Sequence, residues 1–452
     1  MRKEADIKPK ATAGTLAVVL ALASSPLWAI DLYGAWQEAH DHAPGLQAAA
    51  AARAAASESR PLARAGLLPN LALSANVTRT QYDPRTSGPT TYSTNKSYAI
   101  SLSQPLYRRD RWIALEQADS QVRQAEAEYA AAEQQLMLDV ASRYFDVLAA
   151  QDNLRFARAE KKAIARQLEQ AKQRFKVGLS AITDVHEAQA RYDLAVSAVI
   201  AAENRLDSAR EALRELVGPK VAQDALAPLV AGVPLRKPDP PDMQAWVKRA
   251  VEGNLQLRAL RAAVESARRE VERQRAGHYP TLDAQASFTY QDANFGGVFP
   301  LKRNDSAIGL QLRLPLYAGG AIVSATRQAA DRYEEAREKL EQQRLATERA
   351  VRDAYRGVIS GIAQVRAMEQ ALRSTETALE AAQAGFEVGT RTIVDVLDAQ
   401  REKYRARRDL ARARYDYLLS TLRLKQAVGS LAPEDLERIS RWMRQADDDD
   451  AS

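Results

Sequence analysis

Few side chains in this chain have the type and spacing to do chemistry. Cysteine is absent, which excludes disulfides, thiol nucleophiles, thiolate metal sites and an N-terminal lipidated cysteine. The four histidines are His40, His42, His186 and His278. None pairs at helical ligand spacing, and His40 and His42, at i,i+2, point apart, which disfavours a zinc enzyme. Glycine-rich phosphate loops are missing, and no acid, base and nucleophile converge. The expectation is therefore no enzyme, no catalytic residue, no metal and no cofactor. Two features remain. Asp395 and Asp398 stand three apart on one face of a helix's first turns, where each carboxylate gains about 0.3–1 kcal/mol from the helix dipole. Asp184 and Glu187, the corresponding pair earlier in the chain, fit that plain role. Yet Asp395 sits among Ile393, Val394, Val396 and Leu397, unusual neighbours for a decorative charge. The second feature is a repeated Val-Gly, Val177-Gly178 and Val388-Gly389, each ending a long helix, where a left-handed cap alone would explain the glycine.

The elements that position these residues come from a duplication. Asp31 answers Asp242, Pro69 answers Pro280, Tyr144 answers Tyr355, Asp184 answers Asp395 and Gly218 answers Gly429, each 211 positions apart. Two repeats, 30–218 and 242–429, therefore share one architecture. Between them, 219–241 carries six prolines and reads as a linker crossing the molecule at mid-length. The stretch 430–452 reads as a solvated tail ending in four aspartates. At the other end, Arg2, Lys3, Lys8 and Lys10 precede an apolar run and the small-residue segment Ser24–Ala29, so 1–29 reads as a secretory signal. Its removal takes four basic and two acidic residues and lowers the formal charge from +6 to about +4. The basic sequence pI then says little about nucleic acid, and none is expected as a partner.

Each repeat carries two strand patterns. Leu71, Leu73, Ala75 and Val77 alternate with polar neighbours, as do Ile100 and Leu102. In the second repeat Leu282, Ala284, Ala286, Phe288 and Tyr290 alternate, and then Ile308 to Leu316. Loops at 83–97 and 292–304 are expected to join each pair. The rest is helix. Leu115, Ala118, Val122, Ala125, Tyr129, Ala132 and Leu136 form a heptad seam. Asp110 to Val177 contains neither Gly nor Pro and spans roughly 100 Å at 1.5 Å per residue. Two shorter helices, Asp31–Gly66 and Ser180–Val217, together match its length and can stack end to end beside it.

Four strands cannot close a barrel, and open edges are not tolerated in lipid. Two copies give eight strands and three give twelve; an eight-stranded barrel is filled by its own side chains, so a conducting pore needs at least the trimer. Tyr107, Trp112, Tyr279 and Tyr317 cluster where an interfacial aromatic belt would sit. The expected fold is mostly α with a β-hairpin pair of strands per repeat. A trimeric outer-membrane β-barrel, four strands per chain and twelve in total, would continue into a long periplasmic α-helical barrel. The alternative is a non-conducting coiled-coil scaffold of the cell envelope.

Over nearly its whole length the chain resembles the TolC family of trimeric outer-membrane channels. The matching residues are Asp31-Leu32 with Pro44 and Leu46, Leu67-Leu68-Pro69, the first tip Arg174 to Val185, and the second tip Gly389 to Ala399. The missing cysteine points to the unlipidated branch. The resemblance implies a passive exit channel of the Gram-negative outer membrane, serving type I protein secretion or small-molecule efflux. Its partners would be two further copies of the chain, outer-membrane lipid, a periplasmic adaptor protein and an inner-membrane transporter, ABC or proton-driven. It implies that Val177, Gly178, Leu179, Val388, Gly389 and Thr390 dock the adaptor. It also implies that Asp395 and Asp398 line a closed periplasmic entrance. A lock would link Arg391 and the aromatic at 386 to Thr183 and Asp184. That aromatic is Phe386, where the best-matching channels carry Tyr, so Arg391–Asp184 would bear more of the closure. His186 is expected to be a solvated surface residue.

Overall fold

A computed structural model describes residues 29–83, 90–218, 226–230, 232–295 and 299–450. The expected secretory signal, all but its last residue Ala29, lies outside the described residues. The uninterrupted run of helix formers after Arg108 becomes α4, Arg109–Lys176, and its counterpart becomes α8, Ala321–Glu387. The return helices are α5, Ile182–Val217, and α9, Ile393–Val428.

The expected single helix 31–66 is three: α1 Leu32–His42, α2 Pro44–Ser57 and α3 Ser59–Ala65. The first break follows from Pro44, whose ring disfavours helical geometry in the preceding residue; Ala43 turns to ψ 117°. The corresponding stretch of the second half is α6, Met243–Gly253, and α7, Leu255–Arg275. Asn254 marks that break. Its side-chain oxygen accepts from the Leu257 amide (3.0 Å) and its Nδ2 donates to the Ala427 carbonyl (2.9 Å). This joins the end of α9 to the start of α7, the end-to-end stacking that the helix lengths require.

The strands form one antiparallel sheet in the order β1 (Asn70–Tyr82), β2 (Thr91–Tyr107), β3 (Thr281–Phe295) and β4 (Phe299–Arg313). They reach well into the expected loops 83–97 and 292–304. The ladder continues through Asn95↔Ala293 and Lys96↔Asp292 because backbone pairing does not depend on side-chain polarity. What stops there is the apolar alternation. At the other end β4 stops at Arg313, three residues short of the alternating pattern, ahead of Pro315, which cannot donate to a ladder.

Register aligns the apolar residues across all four strands. Leu71 pairs Leu102, Leu73 pairs Ile100, Ile100 pairs Phe288 and Ala286 pairs Ile308. Leu71, Leu73, Ile308, Leu310 and Leu312 are all exposed. The opposite face carries Ser101, Ser103, Ser287, Gln285 and Gln311, with a Gln285–Gln311 hydrogen bond of 2.9 Å. Among the described residues no helix is long and apolar enough to cross a membrane.

The main core lies at mid-length, where α4, α9 and α1 meet the chain around 226–235. Buried Tyr144 donates to the carbonyls of Ile30 (2.8 Å) and Ala227 (3.0 Å), and the Tyr417 hydroxyl accepts from the Arg236 amide (2.8 Å). The described part of the 219–241 linker is thus strapped across the helices. Residues after 429 depart from the expected solvated tail. They form α10, Pro433–Asp450, and Leu436, Ile439, Ser440 and Met443 are buried. Spacing of i, i+3, i+4 and i+7 gives that helix an apolar face. Asp435 fixes it to α9 through Lys425 (2.5 Å).

Candidate functional site: the helical tips

Two turns, α4 to α5 and α8 to α9, end the helical stem. In the first, the Leu179 amide donates to the Arg174 carbonyl (2.8 Å) and the Gly178 amide to Phe175 (3.0 Å). In the second, Thr390 donates to Gly385 (2.8 Å) and Gly389 to Phe386 (3.2 Å). Both are the same double-bonded helix cap, which needs a left-handed residue after the last turn. Gly178 and Gly389 supply it at φ 74° and 79°. The cap explains the glycines. It does not explain Val177, Leu179 and Val388, whose side chains stand in solvent at 68%, 71% and 74% exposure. Leu179 and Thr390 follow the glycines at each tip.

Just beyond the second turn, Thr392 and Asp395 form a reciprocal capping box. The Asp395 amide donates to Thr392 Oγ1 (3.2 Å), while Asp395 Oδ2 accepts from the Thr392 amide (2.8 Å) and hydroxyl (2.8 Å). Those two bonds, with Arg391 nearby, hold the Asp395 carboxyl below the ordinary range. The apolar neighbours that made this position unusual turn the other way. Ile393, Val396 and Leu397 are buried against α4, α5 and α8, leaving Asp395 and Asp398 on the open face.

Asp398 has a different environment. Arg191 of α5 lies 3.2 Å from its Oδ1 and Arg401 3.6 Å. The Arg191 Nε also donates to Glu187 (3.2 Å). Asp398 Oδ1 is itself inaccessible to solvent and makes no well-aligned hydrogen bond, so its charge is met by guanidinium groups.

Within the chain the expected lock is not assembled. Arg391 pairs with Asp395 at 3.8 Å. Its stem crosses Gly385, where an added Cβ would fall 2.6 Å from Arg391 Cγ. Its amide donates to the Gly385 carbonyl (3.1 Å). Phe386 is reached from the first hairpin by Arg174, whose guanidinium lies 4.7 Å from the ring centroid. Thr183 and Asp184 stand on the first turn of α5, Thr183 exposed and Asp184 half-buried. No ion pair joins Asp184 to Arg391 among the described residues of one chain. His186 is exposed. Sequence reasoning missed Arg174, Arg191 and Gly385. The signal was in the duplication: 211 positions on, Arg174 and Arg191 become Gly385 and Glu402, a change of charge within an otherwise repeated tip. Among the described residues no group of three or more acids or histidines could hold a metal ion.

A family model described as "Outer membrane efflux protein" matches residues 35–219 and again 246–430. The chain is 40% identical over 451 residues to "Outer membrane protein TolC" of Vibrio cholerae serotype O1, covering 99% of this chain and 100% of that protein. It is 31% identical to "Proteases secretion protein PrtF" of Dickeya chrysanthemi, covering 95% of each. The fold superposes on the crystal structure of the outer membrane protein VceC from Vibrio cholerae with a TM-score of 0.76, at 22% identity over 88% of this chain and 96% of that one.

Proposed function

Because the chain belongs to the outer membrane efflux protein family, we propose that three copies close into one conduit. Its members are passive channels, and this chain is an exit channel of the outer membrane, not an enzyme. The observation that carries the assembly is the sheet. It has an apolar, exposed face, a polar face, and outer edges on β1 and β4 without a partner strand among the described residues. Pairing β4 of one copy with β1 of the next removes every edge and yields twelve strands. The apolar face then meets lipid and the Ser- and Gln-rich face lines the pore. From Leu71 to Val77 the band is about 20 Å tall at 3.3 Å per residue, close to the ~25 Å of membrane barrels. Tyr107, Trp112, Tyr279 and Tyr317, all exposed, lie at the stem end of the sheet, where the inner interface would fall.

In this reading the stem crosses periplasm and its tips receive an adaptor joined to an inner-membrane transporter. The solvent-facing Val177, Leu179 and Val388, with the turns at Gly178, Gly389 and Thr390, support docking there. Asp395 and Asp398 of three copies would gather at the entrance. Arg391 would meet Thr183 and Asp184 between protomers, since α8 packs on α9 and α5 on α4, which leaves α8 and α5 at opposite flanks, while Phe386 is held within the chain under Arg174. The relative named for protease secretion supports a protein cargo, and the family description supports efflux. Mass measurement in detergent and conductance in planar bilayers test the assembly. A heat-sensitive trimer that conducts is expected. A stable monomer overturns it, and a soluble, non-conducting rod would instead support the envelope scaffold.

A further inference from the structure

We propose that Arg191 is the intrachain latch of the entrance, clamping the second hairpin to the first through Asp398 and masking one oxygen of that carboxylate while the entrance is closed. The inference rests on reading Asp395 and Asp398 as the entrance carboxylates. Arg191 makes the only ion pair between α5 and α9 among the described residues. Its side chain is about three-quarters buried, and Glu187, one turn before it on α5, fixes its Nε (3.2 Å). One face of the guanidinium is thereby oriented by its own helix and the other is presented to Asp398. Nearer the turn, Arg174 lies over Phe386 and joins α4 to α8. Two cationic contacts at different heights run from the first hairpin to the second, so the hairpins cannot separate or rotate without breaking both.

The acceptor side fits a latch. The Oδ1 of Asp398 is out of contact with water and lacks a well-aligned hydrogen bond, so that oxygen is balanced by Arg191 and the more exposed Arg401, while the rest of the side chain, 42% exposed, faces solvent. If α9 swings from α5, Asp398 loses its closer guanidinium and three copies regain free negative charge. Asp395 differs, because its carboxylate is engaged by Thr392 of its own helix and moves with α9. Opening therefore adds charge at Asp398 and not at Asp395. A multivalent cation at the entrance competes with Arg191 for the Oδ1 of Asp398.

Purified trimers in planar bilayers test this. In R191Q the ratio of open to closed channels should rise about three- to hundredfold, the combined effect of three partly exposed ion pairs. Block by hexaamminecobalt(III), which binds by charge alone, should tighten about tenfold as the masked carboxylates are released. R191K should fall between, since it keeps the charge and loses the fork. Exchanging the partners, R191D with D398R, should restore the closed state. D395A/D398A should abolish the block. Because the chain has no cysteine, Arg191→Cys and Asp398→Cys can be bridged by a cleavable bismaleimide. Bridging should lower conductance below that of the unmodified chain, and cleavage should restore it. That arm reports on the latch even if R191Q assembles poorly. Unchanged conductance and block in R191Q, or a bridged pair that conducts normally, overturns the latch and leaves the carboxylate entrance standing. Persistent block in D395A/D398A overturns the carboxylate entrance and, with it, the masking of Asp398.

Discussion

The two tips have the same backbone and opposite chemistry. Each long helix ends in the same pair of amide bonds around a left-handed glycine. Positions 211 apart then diverge: Arg174 against Gly385, Ser180 against Arg391, Ala181 against Thr392, and Arg191 against Glu402. In the first hairpin the cations reach outward, Arg174 to Phe386 and Arg191 to Asp398. In the second, the missing side chain at Gly385 lets Arg391 fold back over its own turn, and Thr392 draws Asp395 into a cap. One copy of a duplicated scaffold holds and the other is held. Duplication conserves the geometry because hydrogen bonds fix the turn. The exposed and half-buried positions were free to diverge, since their substitution costs little stability.

The largest effect should come from breaking what the tips share. Gly178→Val and Gly389→Val each place a β-branched residue at positive φ, a strain of about 1–2 kcal/mol. A Cβ at either site meets nothing within 4 Å, so the helices and the trimer should survive. Export from cells should nevertheless fall severely, because the change alters the surface between Val177 and Leu179 or between Val388 and Thr390. Comparing the two variants shows which tip the adaptor needs. Normal export with normal trimers in the outer membrane would reduce both glycines to caps. Loss of trimers would show that the turn carries folding as well.

How much could be read beforehand divides along the same line. The helices were legible because Asp110 to Val177 contains no Gly or Pro, and the sheet because alternation from Leu71 and from Leu282 is local. The break at Ala43 was also in reach, as Pro44 disfavours helix before it. So was the buried face of α10, spaced at Leu436, Ile439 and Met443. Strand length beyond the apolar band was not, since Asn95 and Lys96 carry no alternation though their backbones pair. The caps at Gly178 and Gly389 were legible from local sequence. The Arg191–Asp398 pair was not, because it spans two helices far apart in the chain and exists only once α5 and α9 pack together. The expected Arg391–Asp184 lock failed within one chain for a related reason. The local capping geometry at Thr392 brings Asp395 within reach of Arg391 first.

A smaller effect should follow from Gly385→Ala. The added methyl lies 2.6 Å from Arg391 Cγ, so Arg391 must leave its place and its pairing with Asp395. Exposed pairs contribute about 0.2–1 kcal/mol, so the open-to-closed ratio should shift less than fivefold per copy. Alanine is the better helix former by about 1 kcal/mol, but the methyl also crowds Arg391 Cβ and Thr390 Oγ1 at 3.3 Å, so the two effects oppose and melting temperature should change little. A change in conductance without a fall in melting temperature would separate displaced Arg391 from general damage. Unchanged conductance would show that the position of Arg391 has no bearing on closure.

The smallest and most local test exchanges the caps. Thr392→Ala removes the side chain that bonds the Asp395 amide and should cost about 1 kcal/mol, within the usual 0.5–2 for a lost N-cap. It makes the second tip like the first, where Ala181 caps α5 without a side-chain bond. Ala181→Thr does the reverse. Ala181 already has extended geometry, φ −79° and ψ 155°, and Asp184 stands three residues on, so a capping box can form without backbone change. Amide exchange in the first turn should quicken in Thr392→Ala and slow in Ala181→Thr. The pH dependence has a fixed sign. The folded carboxyl of Asp395 is depressed, so its stabilisation is fully present above the ordinary aspartate value near 3.9 and is lost only as pH falls below it. In Thr392→Ala that acid-side loss should shrink but not vanish, because the hydroxyl bond goes while the backbone amide at 392 still donates to the Asp395 carboxylate. Equal exchange at pH 7 in the unmodified chain and Thr392→Ala would show that packing of Ile393, Val396 and Leu397, and not the cap, holds the second tip.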